Sequence, residues 1–141
     1  METLLRIEVL DTGDEDGLLH YHLYLSNGEQ TACLEFYAYA DAFTDFGSQL
    51  LNFPQAITDK VVFQVGDDDN SWAYYLLLEV FCYEPTGASA IRVKLKRFSS
   101  APYYHASEFF ILTVPAALNR LGQGLKSWQP LVVKEYCWPN E

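Results

Sequence analysis

Apolar and polar residues alternate with a period of two over residues 4–10, "LLRIEVL", and again over 18–26 and 30–38. Successive side chains on a strand point to opposite faces, so each segment has one apolar and one polar face. Leu5, Ile7 and Val9 oppose Arg6 and Glu8. Leu19, Tyr21, Leu23 and Leu25 oppose His20, His22 and Tyr24. Ala32, Leu34 and Phe36 oppose Cys33, Glu35 and Tyr37. A polar turn with two glycines, "DTGDEDG" at 11–17, and the Asn27-Gly28 dipeptide separate the segments. Both residues of that dipeptide tolerate positive φ, which suits a tight hairpin, so the three segments predict an antiparallel meander.

The period then changes. Phe43, Phe46 and Leu50 recur at spacings of three and four within 40–54. This predicts a helix with Asp41 as its N-cap and Phe53-Pro54 as its end. Strands are predicted at 59–66, 72–84, 90–98 and 103–114, the third with Ile91, Val93 and Leu95 against Arg92, Lys94 and Lys96. Pro115 suits the first turn of a second helix, which presents Leu118, Leu121, Leu125 and Trp128 on one side and stops at Pro130. The segment "LVVKEYCW", 131–138, reads as an edge strand or an extended tail. Short turns between neighbouring strands favour antiparallel pairing. The expected fold is α+β and two-layered: one mainly antiparallel sheet of about 6–7 strands, with two helices packed on one face. At 141 residues, one domain spanning 1–141 is expected.

Composition narrows the function classes. Half of the residues are hydrophobic and 16% are aromatic, which suits a packed core better than disorder. No apolar run is long enough for a bilayer, and "METLLRIEVLD" lacks the features of a signal peptide, so a cytoplasmic protein without a membrane partner is expected. Cys33, Cys82 and Cys137 are odd in number and form no C-x-x-C pair, which predicts free, buried thiols. The formal net charge is −10, and residues 1–70 hold fourteen of the nineteen acidic groups but only Arg6 and Lys60 as bases. Nucleic acid would be repelled by this half and a basic protein attracted to it.

With the apolar strand faces turned toward the helices, the other face carries aromatic and charged residues. Arg6, Glu8, His20, His22, Tyr24, Glu35 and Tyr37 fall there, as do Tyr75, Leu77, Phe81, Tyr83, Tyr104, Phe110, Arg92, Lys94 and Lys96 when Glu79 and Glu108 point outward. Such a mixture suits a contact surface; the competing reading is a sheet that coils tightly or is covered by the C-terminal tail. The expected binding surface comprises His20, His22, Tyr24, Glu35, Tyr37, Tyr75, Phe81, Tyr83, Lys94, Lys96 and Tyr104. Tyr75, Phe81, Tyr83, Tyr104 and Phe110 would form one apolar patch bordered by Arg92, Lys94 and Lys96.

His20 and His22 share a strand face and could chelate, but zinc needs a third and usually a fourth ligand. Glu8, Cys33, Glu35 and His105 qualify by face alone, so the favoured reading is two exposed imidazoles beside Tyr24 and no metal. "GDDDNSW", 66–72, lacks the spacing of a calcium loop. Ser99, Ser100 and Ser107 have no G-x-S-x-G context, and no Gly-rich loop joins a strand to a helix in a phosphate-binding pattern. No catalytic residues and no cofactor are expected.

The order of the strand meander, the helix ending in "NFP", the strand closing at Gly66, Trp72 before a long strand, a "TG" turn and the final "VPAALNRLGQGLKSW" helix resembles small uncharacterised bacterial proteins. Several of these are similar to immunity proteins of polymorphic toxin systems, and the likeness extends over most of the chain. It implies a small, acidic, non-enzymatic protein that neutralises a basic toxin by protein–protein contact, and it assigns no residue a role. Two further readings stand beside it: a self-associating domain such as a homodimer, and a small-molecule or enzyme site around His20, His22 and Glu35.

Overall fold

The alternating and three-four patterns become ten elements in the computed structural model, which describes residues 3–13, 16–69 and 71–139. In chain order they are β1 (Leu5–Asp11), β2 (Leu19–Ser26), β3 (Thr31–Ala38), α1 (Thr44–Leu50), β4 (Lys60–Gly66), β5 (Tyr74–Cys82), β6 (Ser89–Arg97), β7 (His105–Thr113), α2 (Pro115–Ser127) and β8 (Glu135–Trp138). The predicted turn at 11–17 and loop at 67–70 include Asp14, Glu15 and Asn70, which lie outside the described residues. No helix among the described residues is long and apolar enough to cross a membrane. The fold is α+β with antiparallel strand pairing throughout.

The expected single sheet is replaced by two sheets of four strands, ordered β3-β2-β1-β8 and β4-β5-β6-β7. The free side of β1 is taken by β8, from the far end of the chain, with Leu5 opposite Trp138 and Ile7 opposite Tyr136. The 131–138 segment therefore supplies an edge strand, though a short one. The chain divides into two compact units, Met1–Phe53 with Ala116–Glu141, and Pro54–Pro115.

In the first unit Leu5, Ile7, Leu19, Tyr21, Leu23, Leu25, Leu34 and Phe36 are buried, as the alternation requires. Both helices lie on this face. Tyr21 meets Phe43 edge-on at 5.4 Å and Trp128 at 6.3 Å between ring centroids. The Trp138 indole N–H donates to the Ala117 carbonyl at 3.1 Å. Helix α1 has only seven residues, and Asp41 is not its N-cap: the cap position is Phe43, without a side-chain bond. Turns closed by the Tyr39 and Asp41 carbonyls occupy the positions before it. At its other end the Asn119 side-chain amide donates to the carbonyls of Leu50 (2.8 Å) and Phe53 (3.0 Å). The Leu50 carbonyl also accepts from the Phe53 amide at 3.3 Å, so Asn119 ties the end of α1 and the turn after it to α2.

In the second unit Val61, Phe63, Leu76, Leu78, Val80, Ile91, Val93, Leu95, Phe109 and Ile111 share one buried face. Its opposite face carries the charged alternation of β6.

Two phenols, Tyr21 buried and Tyr136 half-buried, link this packing to pH. The Tyr21 hydroxyl donates to the Tyr39 carbonyl at 2.9 Å. Burial, and then the Asp41 carboxylate, pushes Tyr21 up to about 12. Burial, and then Cys137, pushes Tyr136 up to about 12. A folded-state value above the unfolded value of about 10 means that the folded chain binds these protons more tightly. The resulting stability is complete below about pH 10 and is lost as pH rises toward 12. Urea titrations should show unfolding free energy falling across that window, and less steeply in Tyr21→Phe/Tyr136→Phe.

Candidate binding surfaces

The strand register turns the outward residues of the first unit into rows. Asp11, His20 and Tyr37 are successive partners across β1, β2 and β3, and Arg6, Tyr24 and Cys33 form another row. Between them, Glu135, Glu8, His22 and Glu35 cross all four strands. Three carboxylates and one imidazole thus stand in a line, with Glu8 directly opposite Glu135. Like charges placed opposite each other repel, so this row is an unfavourable arrangement for the isolated chain. Arg6 relieves it in part: its Nε lies 3.1 Å from Glu8, and its guanidinium carbon sits 4.9 Å from the Tyr24 ring centroid.

His20 and His22 are half-buried rather than exposed. The His20 ring stacks on Tyr37, with centroids 4.5 Å apart and planes 14° apart, and its Nε2 is 3.0 Å from Glu35. The stack holds Tyr37 in place while leaving it 59% exposed. A cavity of about 370 Å³ adjoins this pair, lined by Asp11, Gly13, Asp16, Leu18, His20 and Tyr37. Among the described residues no group of three or more His, Cys, Asp or Glu side chains is arranged to hold a metal ion. Of the ligands considered from sequence, Glu8, Cys33 and Glu35 share the face of the two histidines. His105 begins β7 in the second unit and bonds with the Ser107 hydroxyl at 2.6 Å.

The three thiols are free, but Cys33 is exposed and Cys82 and Cys137 are half-buried, not fully buried as expected. The reason is register: Cys33 and Cys137 fall on the outward face of their strands. Burial pushes the Cys33 thiol up; burial and the hydrogen bond it donates to Glu135 do the same for Cys137. Both shifts favour the thiol over the nucleophilic thiolate.

The remaining predicted residues lie on the second sheet, in the other unit. Tyr75, Leu77, Glu79 and Phe81 point to the same side as Lys94, Lys96, Arg92, Glu108 and Phe110. The charges divide the aromatic patch instead of bordering it, because β6 lies between β5 and β7. Arg92 pairs with Glu108 at 2.7 Å, and Lys96 and Lys94 pair with Asp68 at 2.7 and 3.5 Å. These pairs hold Asp68 below the usual carboxylate range, chiefly through the Lys96 hydrogen bond. Phe81 and Phe110 meet edge-on at 6.1 Å at one end of the sheet. Tyr75 stands opposite Gly66 and Lys96 at the other end, with exposed Tyr104 just before β7.

Tyr75 points outward yet is only 7% exposed, whereas Tyr83 is open to solvent. Their responses to charge should therefore differ. Tyr75→Asp is expected to cost about 1–3 kcal/mol, the range for a polar group buried without a partner. Tyr83→Asp should stay within about 0.5 kcal/mol. Chemical denaturation of the two variants distinguishes them; equal losses, large or small, would contradict the difference in burial.

One surface lay outside the expected set. Ala40, Asp41, Thr44, Trp128, Gln129, Pro130, Leu131 and Val132 line a hollow of about 320 Å³ in the first unit. Its signal in the sequence is the branched apolar run Leu131-Val132-Val133 directly after a helix-stopping proline, with no polar residue interleaved.

Comparison with known protein families, with curated proteins and with solved structures finds no match to this chain.

Proposed function

We propose that the chain is a non-enzymatic binding protein that uses the outer face of the β3-β2-β1-β8 sheet to hold a basic protein partner. The observation that carries this reading is the row Glu135, Glu8, His22, Glu35, flanked by the stacked Tyr37 and by Tyr24. A cationic partner would relieve the repulsion within the row, and a ring already held by His20 loses little freedom on binding. Charge supports the same unit. The first unit holds twelve acidic and four basic residues, and the second holds seven and five. Surplus charge of one sign speeds encounter with a partner of the other. The resemblance to immunity proteins makes a basic toxin the partner class of choice, with the neutralised toxin and this chain meeting in the cytoplasm.

Co-expression tests the proposal. The product of each gene next to this one is expressed alone and together with this chain. One product is expected to arrest growth alone and to be tolerated in the pair. If every neighbouring product is harmless, the toxin reading falls.

A second reading is self-association through the apolar end of the other sheet, favoured by the Phe81–Phe110 pair and by Leu112, 65% exposed on edge strand β7. Light scattering separates the two, since this reading requires a dimer in the absence of any partner.

A further inference from the structure

The loop after α2 is built more firmly than a connector needs. The Trp128 amide donates to the Gly124 carbonyl at 2.9 Å, and the amides of Val132 and Val133 both donate to the Gln129 carbonyl at 3.0 and 2.9 Å. The Trp128 indole N–H then closes the loop onto the Val133 carbonyl at 2.8 Å, and the Lys134 ammonium donates to the Leu131 carbonyl at 3.0 Å. This bracing holds Leu131, Val132 and Val133 outward, with 59%, 73% and 54% of their surfaces exposed. Connectors are normally polar, and apolar side chains held in water by a rigid loop suit a binding role.

The hollow beside this loop has walls of Trp128, Pro130, Leu131, Val132 and Ala40. Polar groups at its lining come from Asp41, Thr44 and Gln129. Asp41 makes no ion pair or side-chain hydrogen bond among the described residues, so its charge is available. Lys134, the cation on the same loop, is turned to the Leu131 carbonyl instead. The volume is at the lower end of the range for small-molecule sites, which combine apolar walls with a few placed polar groups.

We infer that this hollow binds a small amphipathic organic cation, an ammonium group carried on an apolar body, with the apolar part on Trp128, Pro130 and Leu131 and the ammonium at Asp41. The chemistry follows from the lining. An apolar wall alone would accept any hydrophobe, but a free carboxylate at its lip penalises anions and favours cations. The Trp128 indole lines the same hollow, and an aromatic ring there adds attraction for positive charge. The inference is independent of the proposed protein partner, because Asp41 and the 128–132 loop contribute nothing to the outer face of the sheet.

Three probes of nearly equal shape test it: 4-phenylbutylammonium, 4-phenylbutanol and 4-phenylbutyrate, titrated at low salt and followed by indole fluorescence and calorimetry. The ammonium is expected to bind about three- to tenfold more tightly than the alcohol, the gain typical of an exposed charge pair. The carboxylate should bind most weakly. In Asp41→Asn the ammonium and alcohol affinities should converge, with an unchanged thermal midpoint verifying the fold. In Trp128→Leu the ammonium should bind several-fold more weakly than to the native protein. Absence of binding by all three probes at millimolar concentration would overturn the inference. Equal affinities for ammonium and alcohol, or a preference that survives in Asp41→Asn, would also overturn it. Tight binding only by peptides carrying a lysine within an apolar segment would do so as well, by marking the hollow as part of a protein interface.

Discussion

Replacing Leu121 with alanine is expected to destabilise the protein by about 2–5 kcal/mol, the range for truncating a fully buried leucine. Leu121 has no exposed surface, and Leu118 and Leu125 on the same stripe of α2 have almost none. The upper half of the range is the better expectation here. A cavity costs less when neighbours collapse into it, and α2 cannot move closer to α1. The two helix backbones already meet at Gly47 and Gly122, next to Leu121. Urea denaturation measures the loss directly. An unchanged midpoint in both Leu121→Ala and Leu125→Ala would mean that α2 is not docked on the sheet.

The second large effect is expected at that crossing. A side chain at Gly122 would begin with a Cβ 2.6 Å from the Gly47 carbonyl oxygen and 2.8 Å from the Leu50 Cβ. A Cβ at Gly47 would lie 2.8 Å from the Gly122 carbonyl oxygen and 2.8 Å from the Lys126 amide nitrogen. Backbone atoms cannot rotate away, so the helices must separate, and the Asn119 bonds to the end of α1 would stretch with them. Gly122→Val should therefore cost about 1–3 kcal/mol or more, the scale of overpacking. This runs against helix propensity, which by itself would favour almost any residue over glycine within α2. A Gly122→Val variant as stable as the native protein, by thermal melting, would show that the helices do not cross closely.

The pattern of the chain predicted these elements well because one-sided burial writes itself into period two and period 3.6. The strands β1 to β7 and both helices overlap the segments marked from the sequence, although α1 spans only seven residues and starts after Phe43 rather than Asp41. Of the residues expected to point inward, Leu5, Ile7, Tyr21, Leu23, Leu34, Phe36, Ile91, Val93 and Leu95 are buried, whereas Val9 is only half-buried, at the register shift that separates it from Asp11. Sheet membership was not legible. Alternation states which way a side chain points, not which strand lies beside it, and the β1–β8 pairing joins residues about 130 positions apart. The same gap explains the candidate surfaces. Parity placed His20, His22, Glu35 and Tyr37 together, and Tyr75, Phe81, Lys94 and Lys96 together, yet could not tell that the two sets belong to different sheets. The anionic row emerged only once β8 brought Glu135 beside Glu8. The Asp68 pairs with Lys94 and Lys96 span a loop, where side-chain period gives no guidance.

The most direct test of the central claim is the affinity of the neutralised partner for the native chain and for Glu8→Gln/Glu35→Gln/Glu135→Gln, each measured by calorimetry at low and at physiological salt. The triple substitution removes the charge of the row and keeps its shape, so a folded variant is expected. If the row is the docking surface, the variant binds at least about tenfold more weakly at low salt, and its affinity depends less on salt than that of the native chain. An affinity and a salt dependence identical to those of the native chain would contradict the account and place the partner elsewhere.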